Sequence, residues 1–233
     1  PSPIRFLLLA SAALGLPTLD HQIVKIRIDA FGGLDLGRGT LALDASLHDS
    51  SLAGYALTGD MALRLGWGSA PHFLLSFGGF HPHFVPPPGF PALRRLALTA
   101  GDNPQLRLSA YLALTSNTAQ VGAQADLTAS GAGFEIKAHL GFDALFEFVP
   151  FHFEIEITAS ASLSWHGHRL LGVDLDFVLS GPHPWHAKGE ATFGILWWDV
   201  SVGFDETWGD RTPLPPPPPP QIAKALLDAL AER

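Results

Sequence analysis

The sequence predicts an all-β protein, an antiparallel meander of about eleven amphipathic strands forming a barrel, a sandwich or a curved sheet. Three observations carry this. Apolar residues recur at every second position, which on a pleated strand places them on one face. Runs of roughly ten residues alternate with short turns, the spacing of hairpin-connected strands. Nothing between the runs is long enough for the helix that a parallel crossover needs.

The elements follow in chain order. Residues 1–21 form an apolar lead-in, whose run Phe6–Leu16 has about half the ~20 residues of a spanning helix. With Arg5 before it and Ala10, Ser11, Ala12 and Ala13 within it, the run imitates the apolar region of a signal peptide. It is read here as a buried strand or short helix opening the domain. Because the sequence starts at Pro1, it reads as a processed chain or a piece of a longer one.

The β domain spans 22–212. Val24, Ile26, Ile28 and Ala30 share a face opposite Lys25, Arg27 and Asp29. Leu41, Leu43, Ala45 and Leu47 repeat the pattern, and His48-Asp49-Ser50-Ser51 reads as the next turn. Tyr55, Leu57, Met61, Leu63, Leu65 and Trp67 then resume it. The stretch 78–91, GGFHPHFVPPPGFP, is too rich in proline for an interior strand and reads as an ordered loop or a seam between two halves of the sheet.

Alternation returns with Leu106, Leu108, Ala110, Leu112 and Leu114, a turn at Ser116-Asn117-Thr118, and Val121, Ala123, Ala125 and Leu127. A turn at 130–133 leads to Phe134, Ile136, Ala138, Leu140 and Phe142. Phe151 to Trp165 is the longest single phase; Gly167 centres the following turn, and Leu171, Val173, Leu175, Phe177 and Leu179 come after it. The phase changes parity between Trp197 and Trp198, as at a β-bulge or in a strand buried on both faces. Glycines such as Gly59, Gly66, Gly78, Gly172 and Gly194 read as places where the sheet bends. Residues 213–220 form a polyproline spacer, and 221–233 a short amphipathic helix that docks on the sheet or on a neighbouring chain.

Composition excludes several functions. Charged residues make up 15% of the chain, against roughly 25% in typical soluble proteins. The net charge of −8 gives no basic face for nucleic acid. With no cysteine, the chain has no disulfide, thiolate metal site or cysteine nucleophile. Gly37-Arg38-Gly39-Thr40-Leu41-Ala42 fits a dinucleotide fingerprint in form, but no helix follows it. There is no G-x-S-x-G elbow or phosphate-binding loop.

Two groups of side chains could carry chemistry. Histidine clusters occur at His81-Pro82-His83, His166-Gly167-His168 and His183-Pro184-Trp185-His186. No metal or other cofactor is expected; the leading set, were there one, is His166 and His168 with His183 or His186. The carboxylates Glu147, Glu154 and Glu156, and separately Asp174 and Asp176, resemble the paired acids of glycoside hydrolysis but are read as a solvated strand face.

Several stretches together resemble a family of large bacterial β-rich proteins carrying a domain of unknown function. They are LTGDMALR at 57–64, GGFHP at 78–82 with PPPGFP at 86–91, LTSNT at 114–118, GFDAL at 141–145, and LSGP at 179–182 with Trp185. The resemblance covers about Gln22 to Trp208. It implies a C-terminal portion of a longer protein and transfers no activity.

The function expected is a non-enzymatic structural or apolar-ligand module, its partner a lipid or other apolar molecule. Leu112, Leu140, Phe153, Ile155, Phe177 and Phe193 are expected to line it. Self-assembly, or contact with the remainder of a longer chain, would use the sheet edges and the C-terminal helix. The alternatives are an outer-membrane β-barrel, whose strands have the same length, and a hydrolase using strand carboxylates. The sequence assigns no compartment beyond a bacterial, secreted or cell-envelope setting.

Overall fold

A computed structural model describes residues 4–17, 22–67 and 71–210. The proposed polyproline spacer and C-terminal helix lie outside the described residues. Fifteen strand segments form one antiparallel sheet, and no helix occurs among the described residues. The first eight are β1 (Arg5–Pro17), β2 (Gln22–Asp35), β3 (Thr40–Leu47), β4 (Ser50–Leu52), β5 (Tyr55–Thr58), β6 (Asp60–Gly66), β7 (His72–Phe77) and β8 (Leu96–Ala100). Then come β9 (Gln105–Thr115), β10 (Thr118–Gly131), β11 (Phe134–Phe148), β12 (Phe151–Trp165), β13 (His168–Gly181), β14 (Trp185–Ile195) and β15 (Trp198–Trp208).

The order along the sheet is a simple meander once three interruptions are recognised. β3 and β4 both pair with the same edge of β2, β6 and β5 continue one another, and β7 and β8 share one edge of β9. The fifteen segments therefore occupy twelve strand positions, each beside its neighbours in sequence. That is the expected meander of about eleven strands with the lead-in added as β1.

β1 corrects one expectation. It is a strand, yet an exposed one, paired only with β2 at the edge of the sheet. At the opposite edge β15 pairs only with β14. The described sheet is thus open, with neither the closure of a barrel nor the second sheet of a sandwich.

Two turn assignments also change. His48-Asp49 lies within a strand: Leu47 pairs with Ile28 and Ser51 with Lys25, so β3–β4 carries one residue more than β2 there. This is a β-bulge, held by Arg27 N donating to Ser50 Oγ (2.9 Å) and His48 N donating to Arg27 O (3.1 Å). The hairpin turn comes later, at Ala53-Gly54, where both residues have positive φ. Conversely, the parity change at Trp197 is a hairpin. Ile195 pairs with Trp198 across the two-residue turn Leu196-Trp197. Residues flanking such a turn face each other, so the apolar phase changes parity without any bulge.

The stretch 78–91 belongs to an ordered loop, 78–95, that interrupts a strand. Phe77 pairs with Leu112 and Leu96 with Ala110, so the chain leaves the sheet and returns two positions further along β9, passing over Tyr111. Gly78 makes the exit at φ +72, packed so closely that a Cβ would lie 2.6 Å from Ala110 O.

The loop lies over the polar phase. Beneath it runs a paired row, Ala62–Ser76–Ala113–Gln120–Leu145, nearly all of it inaccessible to solvent. Leu74 and Tyr111 are buried in the same phase. Much of the best-buried core therefore sits on the face that the sequence pattern reads as wet.

Asp60 anchors the returning end. It accepts the backbone N–H of Arg94 (2.9 Å) and three bonds from its guanidinium, two of them from Nε (2.7, 2.9 and 3.1 Å). These bonds hold the Asp60 carboxyl down to about 2, against an opposing effect of burial. A lowered carboxyl pKa gives stability above the unfolded value that is lost as pH falls through the folded one. Asp60→Asn is expected to remove about 1 kcal/mol at neutral pH, allowing for solvent screening at the exposed arginine. It should also flatten the loss of stability between about pH 4 and pH 2. Urea unfolding at several pH values checks this; an unchanged acid limb in the variant would refute it.

Candidate functional site

The apolar phase of every strand falls on one sheet face. Register ties Leu112 to Val121, Ala144, Ile155 and Leu179 across β9–β13. Another row runs Leu98–Leu108–Ala125–Leu140–Ala159–Leu175–Ala191–Val202, from β8 to β15. In β9–β15 the one carboxylate in this phase among the described residues is Glu206.

All six expected lining residues lie on this face, with different degrees of cover. Leu140, Phe193 and Leu112 are 57%, 50% and 44% exposed. Ile155 and Phe177 are half-buried. Phe153 is buried, its ring 5.2 Å from that of Trp185 and 6.3 Å from that of Phe146. Leu140 also lines a groove of about 460 Å³ with Leu57, Leu98, Leu108, Ala123 and Ala125. Ala125 on β10 pairs with Leu108 on one side and Leu140 on the other, so a small side chain between two large ones opens the depression.

The polar face holds a different site under the loop. His81 N donates to Gln120 Oε1 (2.9 Å), and Gln120 Nε2 in turn donates to Thr118 Oγ1 (2.9 Å). Arg95 donates to the carbonyls of Gly78 (3.2 Å) and Phe80 (2.9 Å), and its guanidinium stacks 3.9 Å from the centre of the Tyr111 ring. Tyr111 Oη donates to Asp143 Oδ1 (2.7 Å). His83 Nδ1 lies 2.6 Å from Glu154 Oε1 and 3.5 Å from Glu156 Oε1. One donor atom from each of His81, His83 and Glu154 lies within 4.8 Å of the others.

The charges here are displaced from their ordinary values. Burial lowers the His81 pKa and keeps the ring neutral, whereas the hydrogen bond to Glu154 raises that of His83. Burial raises the carboxyl of Glu156 and, with the bond to Asp143, the phenol of Tyr111. His81 is 1% exposed and its Nε2 has no hydrogen-bond partner among the described residues.

The other histidines do not meet. His166 and His168 flank the β12–β13 turn, while His183 and His186 lie past the far end of β13, about 40 Å away along the strand. His186 Nε2 pairs with Asp205 (2.7 Å) instead. The metal set that led in the sequence is therefore dispersed, because one strand's length separates its two halves. Glu154 and Glu156 stand side by side on β12 next to His83, and Glu147 pairs across the strands with His152. Asp174 is bound by Arg169 and Asp176 sits opposite Glu190. These acids share a strand face; none of the pairs looks across a cleft at a scissile bond.

Tyr111, Gln120 and Arg95 escaped the sequence reading. A signal for them exists: Leu74, Ala113 and Leu145 are apolar residues in the polar phase, and they mark the patch that something covers.

The fold and its two faces define a single-layer amphipathic β protein. The chain belongs to a family of unknown function, DUF6603, which it matches over residues 1–232. No curated protein and no solved structure gives a significant match.

Proposed function

We propose that this chain is a non-enzymatic β-rich module that holds apolar molecules, lipid acyl chains foremost, along one sheet face. The observation that carries this reading is the uncovered apolar face: among the described residues, the one long loop lies on the opposite side. Contiguous exposed apolar surface beyond a few hundred Å² marks an interaction site. The alternation of large and small residues across β9–β14 favours flexible chains, since it leaves channels between ridges. The same reading places the module within a longer bacterial protein or assembly, whose further strands would pair with the open edges of β1 and β15.

Mass spectrometry of an organic extract from protein purified without detergent tests the proposal. Stoichiometric lipid or another apolar molecule is expected. An empty extract from a folded sample would overturn the lipid reading and assign the face to a protein layer.

A further inference from the structure

We propose that His81, His83 and Glu154, with Glu156 beside them, form a binding site for one divalent transition-metal ion of the zinc class. The ion would pin loop 78–95 to the polar face of the sheet.

The argument starts from what the cluster leaves unexplained. The contact with Glu154 accounts for His83. It does not account for His81, an imidazole buried to 1% exposure whose Nδ1 accepts a long 3.2 Å bond from His83 N and whose Nε2 is unsatisfied; binding an ion through Nε2 would move the ring proton to Nδ1 and give up that bond. A buried polar atom without a partner costs about 1–3 kcal/mol, so such groups call for a missing ligand.

The surroundings fit a cation. Pro82 fixes the backbone between the two histidines, whose rings stand 5.4 Å apart in an edge arrangement. Ligands at about 2.0–2.2 Å from one tetrahedral ion stand about 3.4 Å apart, so donors within 4.8 Å of one another close by up to about 1.4 Å on binding. The exposed His83 and the flexible Glu154 can make those adjustments. Glu156, whose Oε1 lies 3.5 Å from His83 Nδ1 but outside the 4.8 Å set, and the nearby Asp143 add negative charge. Arg95, the opposing cation, is held against Tyr111 and the loop carbonyls. Two imidazoles with carboxylates suit zinc, iron(II) or cobalt(II), whereas magnesium and calcium prefer oxygen alone.

The site links residues 71 apart in sequence, His83 and Glu154. An ion there binds the folded state and not the unfolded chain, so it must stabilise the fold.

The test uses the full chain, stripped with a chelator and titrated with zinc chloride by calorimetry. Cobalt(II) absorption reports the ligand geometry. One ion per chain and a raised melting temperature are expected. His83→Gln and Glu154→Gln should each weaken binding roughly tenfold or more. Because the His83 side chain is 59% exposed, its metal-free variant should stay folded, which His81→Gln need not do; the melting temperature of metal-free Glu154→Gln, where the side chain is 24% exposed, is read beside it. The double variant His166→Gln/His168→Gln should bind like the parent. The proposal fails if no ion binds at one per chain. It also fails if binding survives His83→Gln and Glu154→Gln, whatever the His166/His168 variant does.

Discussion

Gly78→Ala is expected to lower the stability of the fold by about 3 kcal/mol, far more than the same change at Gly89. Both glycines have positive φ, +72 and +81, which an alanine adopts only at a cost. Gly89 stands at the tip of the loop, and a Cβ there meets nothing within 4 Å. Its substitution should cost about 1 kcal/mol. At Gly78 the new methyl would sit 2.6 Å from Ala110 O and 2.8 Å from Leu96 N, and both contacts are backbone. Neither strand can yield, because Ala110 pairs with Leu96 on one side and Ala123 on the other. The exit of the loop and the pairing of β8 with β9 would be lost together. Denaturant midpoints of the two variants measure the difference; equal losses would mean that the strand edge is not tightly joined at Gly78.

The second large effect concerns binding. Leu108→Glu/Leu140→Glu is expected to empty the groove while leaving the fold intact. The two leucines flank Ala125 in one row and are 41% and 57% exposed, so folding buries about half of each. The loss of folding stability should be about 2 kcal/mol, the burial of one leucine shared between two sites. A carboxylate laid against an acyl chain, however, gives up hydration without a partner, at a cost of about 2 kcal/mol or more. That corresponds to roughly 30-fold weaker binding. Comparing extracted lipid per chain in parent and variant reads the effect directly. Parent levels of lipid in the variant would take the groove out of the binding surface.

The two misplaced turns show how far periodicity reaches. Around His48-Asp49 and around Leu196-Trp197 the apolar phase changes parity in the same way. A bulge and a two-residue hairpin both shift the alternation by one position, and the one-dimensional pattern carries no other difference between them. Composition helped elsewhere: Gly133 and Gly167 mark hairpins because their turns require positive φ, +81 and +83. Leu196 takes positive φ without being glycine, and its turn was hidden for that reason.

The candidate metal cluster was legible only in pieces. His81-Pro82-His83 stood out as a histidine group, and Glu154 with Glu156 as neighbouring acids. Their meeting depends on where the loop lies. The pairing Gln120–Leu145–Glu154 carries β12 to within reach of a loop that begins at β7. No spacing rule connects residues 71 apart.

The sequence by itself determined the strands, their antiparallel succession and the single apolar face. Each follows from local chemistry, since alternation within a strand decides which side chains share a surface and short turns decide which strands are neighbours. Only the tertiary structure decided that the sheet is open among the described residues and that loop 78–95 folds onto the polar face. It also decided that His81 is buried beside Glu154. Those outcomes depend on long-range contacts, in which a segment of eighteen residues selects one of two available faces. The loop lies where Ser76, Gln120 and Asp60 satisfy its backbone groups. An apolar face offers no such partners, and that is the physical reason the loop leaves it uncovered.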